Sequence, residues 1–296
     1  MPDATLSDSV RAHCAEVAAT ARRVRIDLDR VGVIEPGPPP ELDPERHFLD
    51  GTRDEVAAYL LTLTSINFGS GWFPTLRKRV VDGRTVSGYF TVAMGLTDRF
   101  RAAGPWSNEQ LRAMTTDEVA MVCGQTPAHE LMALYAQALR GLGTFLGDRT
   151  PLQLVESAGG SAQRLAATVA RMPMWNDAGF HKRAQILASD LALAKVAEFG
   201  DLDTLTIFAD NVVPHVLRCD GVLVYDDELA RAIDAAEPLN DAAAEREIRA
   251  CAVHACVDVA KALDVPERIL DGWLWNRGQQ PEYKARPRHR TRSVFY

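Results

Sequence analysis

The sequence predicts a mainly α-helical protein, one compact helical domain with at most a few short strands. Apolar residues recur at helical spacing, as at Val56, Leu60 and Leu63. Hydrophobic residues make up 47% of the 296, enough for a sizeable core and too many for a disordered chain. Strand-like alternation is confined to short runs, at 84–93 and Val222–Tyr225. The length suits one large domain or two small ones. No linker demands a boundary, so 1–296 reads as one domain.

The elements follow in order. Residues 1–34 form an N-terminal segment, with a helix expected over 5–32. The prolines of 35–44 fix φ and remove backbone donors, which makes that stretch an extended connector within the domain. A helix over 53–66 is ended by Gly69-Ser70-Gly71. Val86, Gly88, Phe90 and Val92 alternate, so 84–93 is expected as a strand or hairpin arm. Two helices are expected in 108–146, the second from His129 to Phe145. Further helices are expected over 160–171 and 182–199, the latter stopped by Gly200. A short strand at 222–225 precedes helices over 226–236 and 245–263. Pro266 opens the last helix, which carries Trp273 and Trp275. The tail carries five Lys/Arg within 284–292. It reads either as a polymer-binding segment or as a surface strand lying against acidic helices.

Composition excludes several function classes. The formal net charge is −7 and the pI about 5.5, which argues against a nucleic-acid polymer as a stable partner. The five cysteines are odd in number and contain no Cys-x-x-Cys pair, so neither a disulfide framework nor a zinc knuckle is expected. No run approaches the ~18 apolar residues of a membrane span. The N-terminus lacks a basic and apolar leader. A cytoplasmic protein with no membrane partner is the expectation. His129-Glu130-Leu131-Met132-Ala133 has alanine where a zincin needs its second histidine. Neither a phosphate-binding glycine loop nor a Gly-x-Ser-x-Gly elbow is present. No metal or cofactor is expected.

The informative segments are His181-Lys182-Arg183-Ala184-Gln185-Ile186-Leu187 and Thr206-Ile207-Phe208-Ala209-Asp210. The first puts Lys182 at a helix start, where the helix dipole disfavours a cation unless an anion is near; Arg183 is the alternative cation. The second puts Asp210 ahead of a helix with Pro214 in its first turn, amid apolar neighbours such as Phe208. Asp210 or Asn211 is a natural cap there. The competing reading is a carboxylate kept ionised to stabilise a developing sugar cation. Asn67, on the inward stripe of its helix, either reads a base edge or ends that helix. Phe68, Trp72, Tyr89 and Phe90 are aromatics near glycines, suited to core packing or to sandwiching a planar base. Glu247, Cys251, His254 and Asp258 share a face of the helix 245–263, a weak metal pattern and more simply a hydrogen-bonded or solvated face.

Taken in order, several segments resemble the queuosine salvage proteins, the queuosine 5′-phosphate N-glycosylases. They are Ser65-Ile66-Asn67-Phe68, Gly88-Tyr89-Phe90, Gly160-Ser161-Ala162-Gln163-Arg164-Leu165, and the two segments just described. Glu245-x-Glu247-Ile248-Arg249, Leu274-Trp275 and the terminal His289-Arg290-x-Arg292-Ser293-Val294-Phe295-Tyr296 complete the set. The resemblance covers about residues 40–296. It implies a hydrolase releasing queuine, a 7-deazaguanine base, from queuosine 5′-monophosphate, and a fold similar to helix-hairpin-helix DNA glycosylases. The hairpin with which those enzymes grip DNA is missing before Lys182. That departure, with the acidic charge, implies a free nucleotide as substrate. His181 and Asn211 stand where the family usually has tyrosine, and Gly69-Ser70-Gly71 precedes Trp72. On this resemblance Asp210 is the expected catalytic carboxylate. Lys182 binds phosphate or tunes Asp210. Asn67, Phe68, Tyr89 and Phe208 line the base site, and Glu247 meets the base's amine or hydroxyls. Two alternatives remain: a glycosylase acting on modified bases in DNA or RNA, and a non-catalytic binder of modified nucleosides.

Overall fold

The computed structural model describes residues 4–296 and is helical throughout, apart from two small antiparallel ladders. Helix α1 (Leu6–Thr20) opens with a capping box from Thr5 and Asp8. It ends well short of the expected residue 32. The backbone N–H groups of Arg22 and Arg23 donate to the Glu247 carboxylate instead of to the preceding turn. The chain then enters β1 (Val24–Ile26), where β-branched residues pair with the strand at 223–225. Helix α2 (Arg53–Ser65) carries a second capping box, from Thr52 and Glu55, and is buried along nearly its whole length.

Of the stretch 84–93 only Arg84 and Thr85 form a hairpin arm; the rest is not strand. A short hairpin of β2 (Val80–Val81) and β3 (Arg84–Thr85) closes at Asp82-Gly83, and α3 (Gly88–Ala103) follows directly. Ser87 caps that helix by accepting from Phe90 N. Val92, Leu96 and Phe100 lie buried at four-residue spacing, so helical periodicity outweighs the local alternation.

Three helices occupy 108–146 where two were expected: α4 (Asn108–Arg112), α5 (Thr116–Val122) and α6 (Glu130–Leu146). His129 caps α6, accepting from Leu131 N. Two shorter helices, α7 (Pro151–Glu156) and α8 (Ala162–Val169), lead to α9 (Lys182–Leu193), which stops before Gly200 because Lys195 turns left-handed at φ 58°. Next come α10 (Val213–Cys219), β4 (Leu223–Tyr225), α11 (Asp227–Asp234) and α12 (Ala242–Leu263). Pro266 caps α13 (Glu267–Arg277), and one further turn, α14 (Pro281–Lys284), follows it.

Two hydrophobic clusters result. One gathers α2 to α9. The other gathers α1, β1, β4 and α10 to α14. The extended segment 205–209 forms the seam between them. Leu205 and Phe208 pack into the first cluster, Ile207 and Ala209 into the second. The basic tail is not a surface strand. It straps across the seam, with Arg290 O accepting from Leu239 N and Tyr296 O from Gly69 N, both at 2.9 Å or less. His289 and Tyr296 are buried. Among the described residues no helix is long and apolar enough to cross a membrane.

A side chain at Gly71 would collide with the Thr291 carbonyl of this strap. Gly71→Ala is expected to lower stability by about 1–3 kcal/mol, the usual range for overpacking, and to expose the tail. Urea unfolding and the rate of carboxypeptidase trimming would show both effects.

Candidate active site

The seam ends at Asp210; three side chains from elsewhere hold the backbone leading to it, and the side chain of the next residue ties it to the terminal strap. The Gln185 side-chain oxygen accepts from Thr206 N at 3.0 Å. Asp271 Oδ1 accepts from Phe208 N at 2.7 Å. Arg249 Nε donates to Ala209 O at 2.9 Å. Asn211 Nδ2 donates to His289 O at 3.2 Å. A buried loop must satisfy its polar backbone somewhere, and here three of the four bonds fix residues within two of Asp210. The Asp210 carboxylate is itself half-held. Its Oδ1 accepts from Val212 N at 2.6 Å and from Val213 N at 3.1 Å, at the start of α10. Its Oδ2 makes no hydrogen bond to another described residue. The capping and chemical readings therefore concern different oxygens of one carboxylate.

Lys182 opens α9 and is buried. Asp177 Oδ2 accepts its backbone N–H at 3.3 Å, and its Nζ donates to Asn67 O at 3.3 Å. Burial pulls the Lys182 ammonium down to about 8, against the pull of Asp210, the strongest opposing charge. Arg183, the alternative cation, faces the other way. Its guanidinium bonds Ser65 O at 2.6 Å, Val294 O at 3.0 Å and also Met174 O, between the rings of Phe68 and Trp175. It locks the end of α2 to the terminal strap. Lys182 is thus the α9 cation that meets Asp210.

Of the other expected site residues, some converge and some do not. Asn67 sits half-buried just past α2, its carbonyl on Lys182 and its amide unbonded to any other described residue. Phe208 lies beside Asp210, nearly buried. Tyr89 is half-buried, its hydroxyl 3.1 Å from His47 Nε2, and its ring meets Trp275 edge-on at 6.3 Å. Phe68 is sunk in the core at 1% exposure, edge-on to Tyr135. Glu247 is not at the site. Its carboxylate is spent on Arg22 N and Arg23 N at the end of α1, because residues two apart on α12 face opposite ways. Glu245 and Arg249 are the members of that segment that face the seam.

Three further groups escaped the sequence reading, two of them within the influence of Asp210 and one within that of Lys182. Asp271 is buried on α13. Burial holds its carboxyl well above the usual carboxylate range, and neighbouring Asp210 adds to the effect. Asp190, two turns after Lys182 on α9, is pushed up to about 7 by burial, with Lys182 opposing. Arg288 of the strap is lowered by burial, with Asp210 opposing, and has no ion pair among the described residues. The legible signal was a carboxylate on an inward stripe: Glu267, Leu270, Asp271 and Leu274 on α13, and Arg183, Leu187 and Asp190 on α9.

A groove of about 610 Å³ elsewhere, along β1 and β4, is lined by Arg23, Asp226 and His254. Its charges largely pair with one another, Arg23 with Asp226, and it offers no comparable chemistry. Among the described residues no group of three or more His, Cys, Asp or Glu side chains could hold a metal.

The sequence model of the family described as queuosine salvage protein matches residues 47–296. This chain belongs to that family. The match begins at His47, the residue that touches Tyr89, and takes in both Lys182 and Asp210. A Sphaerobacter thermophilus relative named queuosine 5′-phosphate N-glycosylase/hydrolase is 32% identical, with 95% of each chain covered. Relatives of the same name from Bos taurus and Nematostella vectensis are both 27% identical. They cover 83% of each chain in the first case, and 80% of this chain and 81% of the relative in the second.

Arg249 joins most of this site. It pairs with Asp177 at 2.6 Å, with both side chains under 7% exposed, and lies against the rings of Phe180 and Tyr296. Arg249→Met leaves the Asp177 charge buried and unpaired. It should cost about 3–5 kcal/mol, read as a drop in the urea midpoint with an unchanged slope.

Proposed function

We propose that the protein hydrolyses the N-glycosidic bond of queuosine 5′-phosphate, releasing queuine for salvage. The observation that carries this reading is the geometry of Asp210: one oxygen clamped by two backbone N–H groups, the other open, and a buried lysine beside it. Membership of the queuosine salvage family and the names of its relatives supply the substrate.

A 7-deaza base has carbon in place of N7, so the protonation that helps purines depart is not available there. The barrier must then fall through stabilisation of the sugar. Asp210 Oδ2 lies against C1′ and stabilises the cationic character that grows as the C1′–N9 bond breaks and its electron pair leaves with the base. Water adds its oxygen to C1′, and its proton is passed to the departing base. A group fixed before substrate arrives does this without reorganising at the moment of reaction. Lys182 and Arg288 are the cations near Asp210 that are free to meet the 5′-phosphate. Asn67, Tyr89 and Phe208 border the base.

A free nucleotide is the substrate rather than a polymer, in keeping with the net charge of −7. The five cysteines are all free, four of them buried, which suits a reducing compartment, and we assign the reaction to the cytoplasm.

The test is release of queuine from queuosine 5′-monophosphate, followed by chromatography, beside unphosphorylated queuosine. Asp210→Asn should lower turnover by at least about 10²-fold with modest change in binding, the scale of losing one electrostatic stabiliser. Near-normal turnover in that variant would reject the assignment. With Lys182 lowered to about 8, its charge is present below that pH and lost above it. The rate at low substrate should therefore fall as pH rises through about 8. Lys182→Arg, charged at all these pH values, should remove that alkaline limb.

A further inference from the structure

Helix α1 precedes the residues that the family model matches, yet it reaches the backbone that leads to Asp210. Ser7, in its first turn, is fully buried against two glutamines. Its N–H donates to Gln163 Oε1 at 3.1 Å. Its hydroxyl donates to Gln185 Oε1 at 3.3 Å and accepts from Gln163 Nε2 at 2.7 Å. Both glutamines go on to the seam. Gln163 Nε2 also donates to Thr204 Oγ1 at 2.7 Å, and Gln185 holds Thr206. A buried polar network rigidifies when its members are all paired, as these are.

Arg11, one turn further along α1, joins two separate elements. Its Nε donates to Glu267 Oε1 at 2.7 Å, and its Nη2 to Thr204 O at 2.8 Å. Thr204 ends the short turn that feeds the seam. Glu267 opens α13. Asp271, one helical turn later on the same face, accepts from Phe208 N at 2.7 Å. The same helix meets the chain again beyond Asp210, where Gly278 lies against the side chain of Val212. Helix α13 is thus the surface on which Phe208 and Val212, on either side of Asp210, are seated. Arg11 fixes the first residue of that surface to the start of the seam.

We propose that Arg11 is a positioning residue for Asp210. It ties Thr204 to α13 while Asp271 ties Phe208 to α13, so the segment 204–208 is held along that helix at both ends. The assignment rests on the hydrolase reading for what Asp210 does; the linkage itself belongs to the folded chain. Charge and linkage are separable here. Lysine at this position keeps the charge and can still pair with Glu267, but it lacks the planar fork that serves two partners in fixed directions.

The experiment uses the full chain as wild type, Arg11→Lys, Asp210→Asn and the double variant. It measures turnover of queuosine 5′-monophosphate, thermal midpoints, and amide hydrogen exchange at Val212 and Val213, whose N–H groups Asp210 holds. Arg11→Lys should lower kcat about 10-fold at nearly constant KM, within the ~10²-fold that a misplacement of about 1 Å can cost. Its midpoint should stay near that of wild type, and exchange at Val212 and Val213 should quicken as their local hold loosens. In the Asp210→Asn background the same change should cost little more, because a residue that acts through a carboxylate has nothing to act on once that carboxylate is gone. A wild-type kcat in Arg11→Lys overturns the proposal. So does a rise in KM alone, a loss repeated in full in the Asp210→Asn background, or a lowered midpoint with unchanged exchange, which marks a merely structural pair. A wild type that releases no queuine sinks the hydrolase reading instead. Exchange at Val212 and Val213 then decides alone: faster in Arg11→Lys upholds the positioning of Asp210, unchanged overturns it.

Discussion

The site depends on one buried ion pair, Arg249 with Asp177. Asp177 accepts the backbone N–H of Lys182 through its carboxylate and those of Phe180 and His181 through its carbonyl. Arg249 also donates to the carbonyl of Ala209. One guanidinium thereby fixes the residue before Asp210 and, through Asp177, the turn that presents Lys182. Such a pair is weak grounds for stability, because burying two charges costs nearly what their attraction returns. What it confers here is position. The two candidate residues, Lys182 and Asp210, come from elements of different hydrophobic clusters, and without a rigid link their spacing would follow every small movement between those clusters.

The seam segment explains why the site lies where it does. An extended chain points alternate side chains to opposite faces, and 207–209 uses this to satisfy both clusters at once, Phe208 facing one and Ile207 and Ala209 the other. Its backbone then has no ladder to join, so its polar groups are met by Gln185, Asp271 and Arg249. Asp210 comes at the end of this over-determined stretch, where α10 begins and two more N–H groups are available. The terminal strap closes the arrangement from outside, bonding Asn211 through His289 O and Arg183 through Val294 O.

The site holds its charges expensively. Burial lowers Lys182 and Arg288 and raises Asp190 and Asp271. Shifts of both signs in one place are what catalytic and binding sites tend to collect. Asp271 and Asp210 show how environment divides two similar groups: one is sealed in apolar surroundings and bonded to a single N–H, the other is partly open and held by two.

The helical class and the positions of α2 and α9 to α13 were legible in the sequence, because periodicity, caps and prolines act over a few residues, and the same signals singled out Lys182 and Asp210 as candidates. Family motifs identified the chemistry without showing its geometry. Where the reading failed, a distant partner had intervened. Helix α1 ends because Glu247 takes the N–H groups of Arg22 and Arg23, and that same bond removes Glu247 from the site. Phe68 is a core ring because Arg183 and Tyr135 enclose it. Asp190 and Asp271 looked like ordinary polar residues on helices. Only the packing of α9 and α13 against the seam turns them inward, since burial and hydrogen-bond partnership are properties of surroundings that the chain assembles from residues far apart.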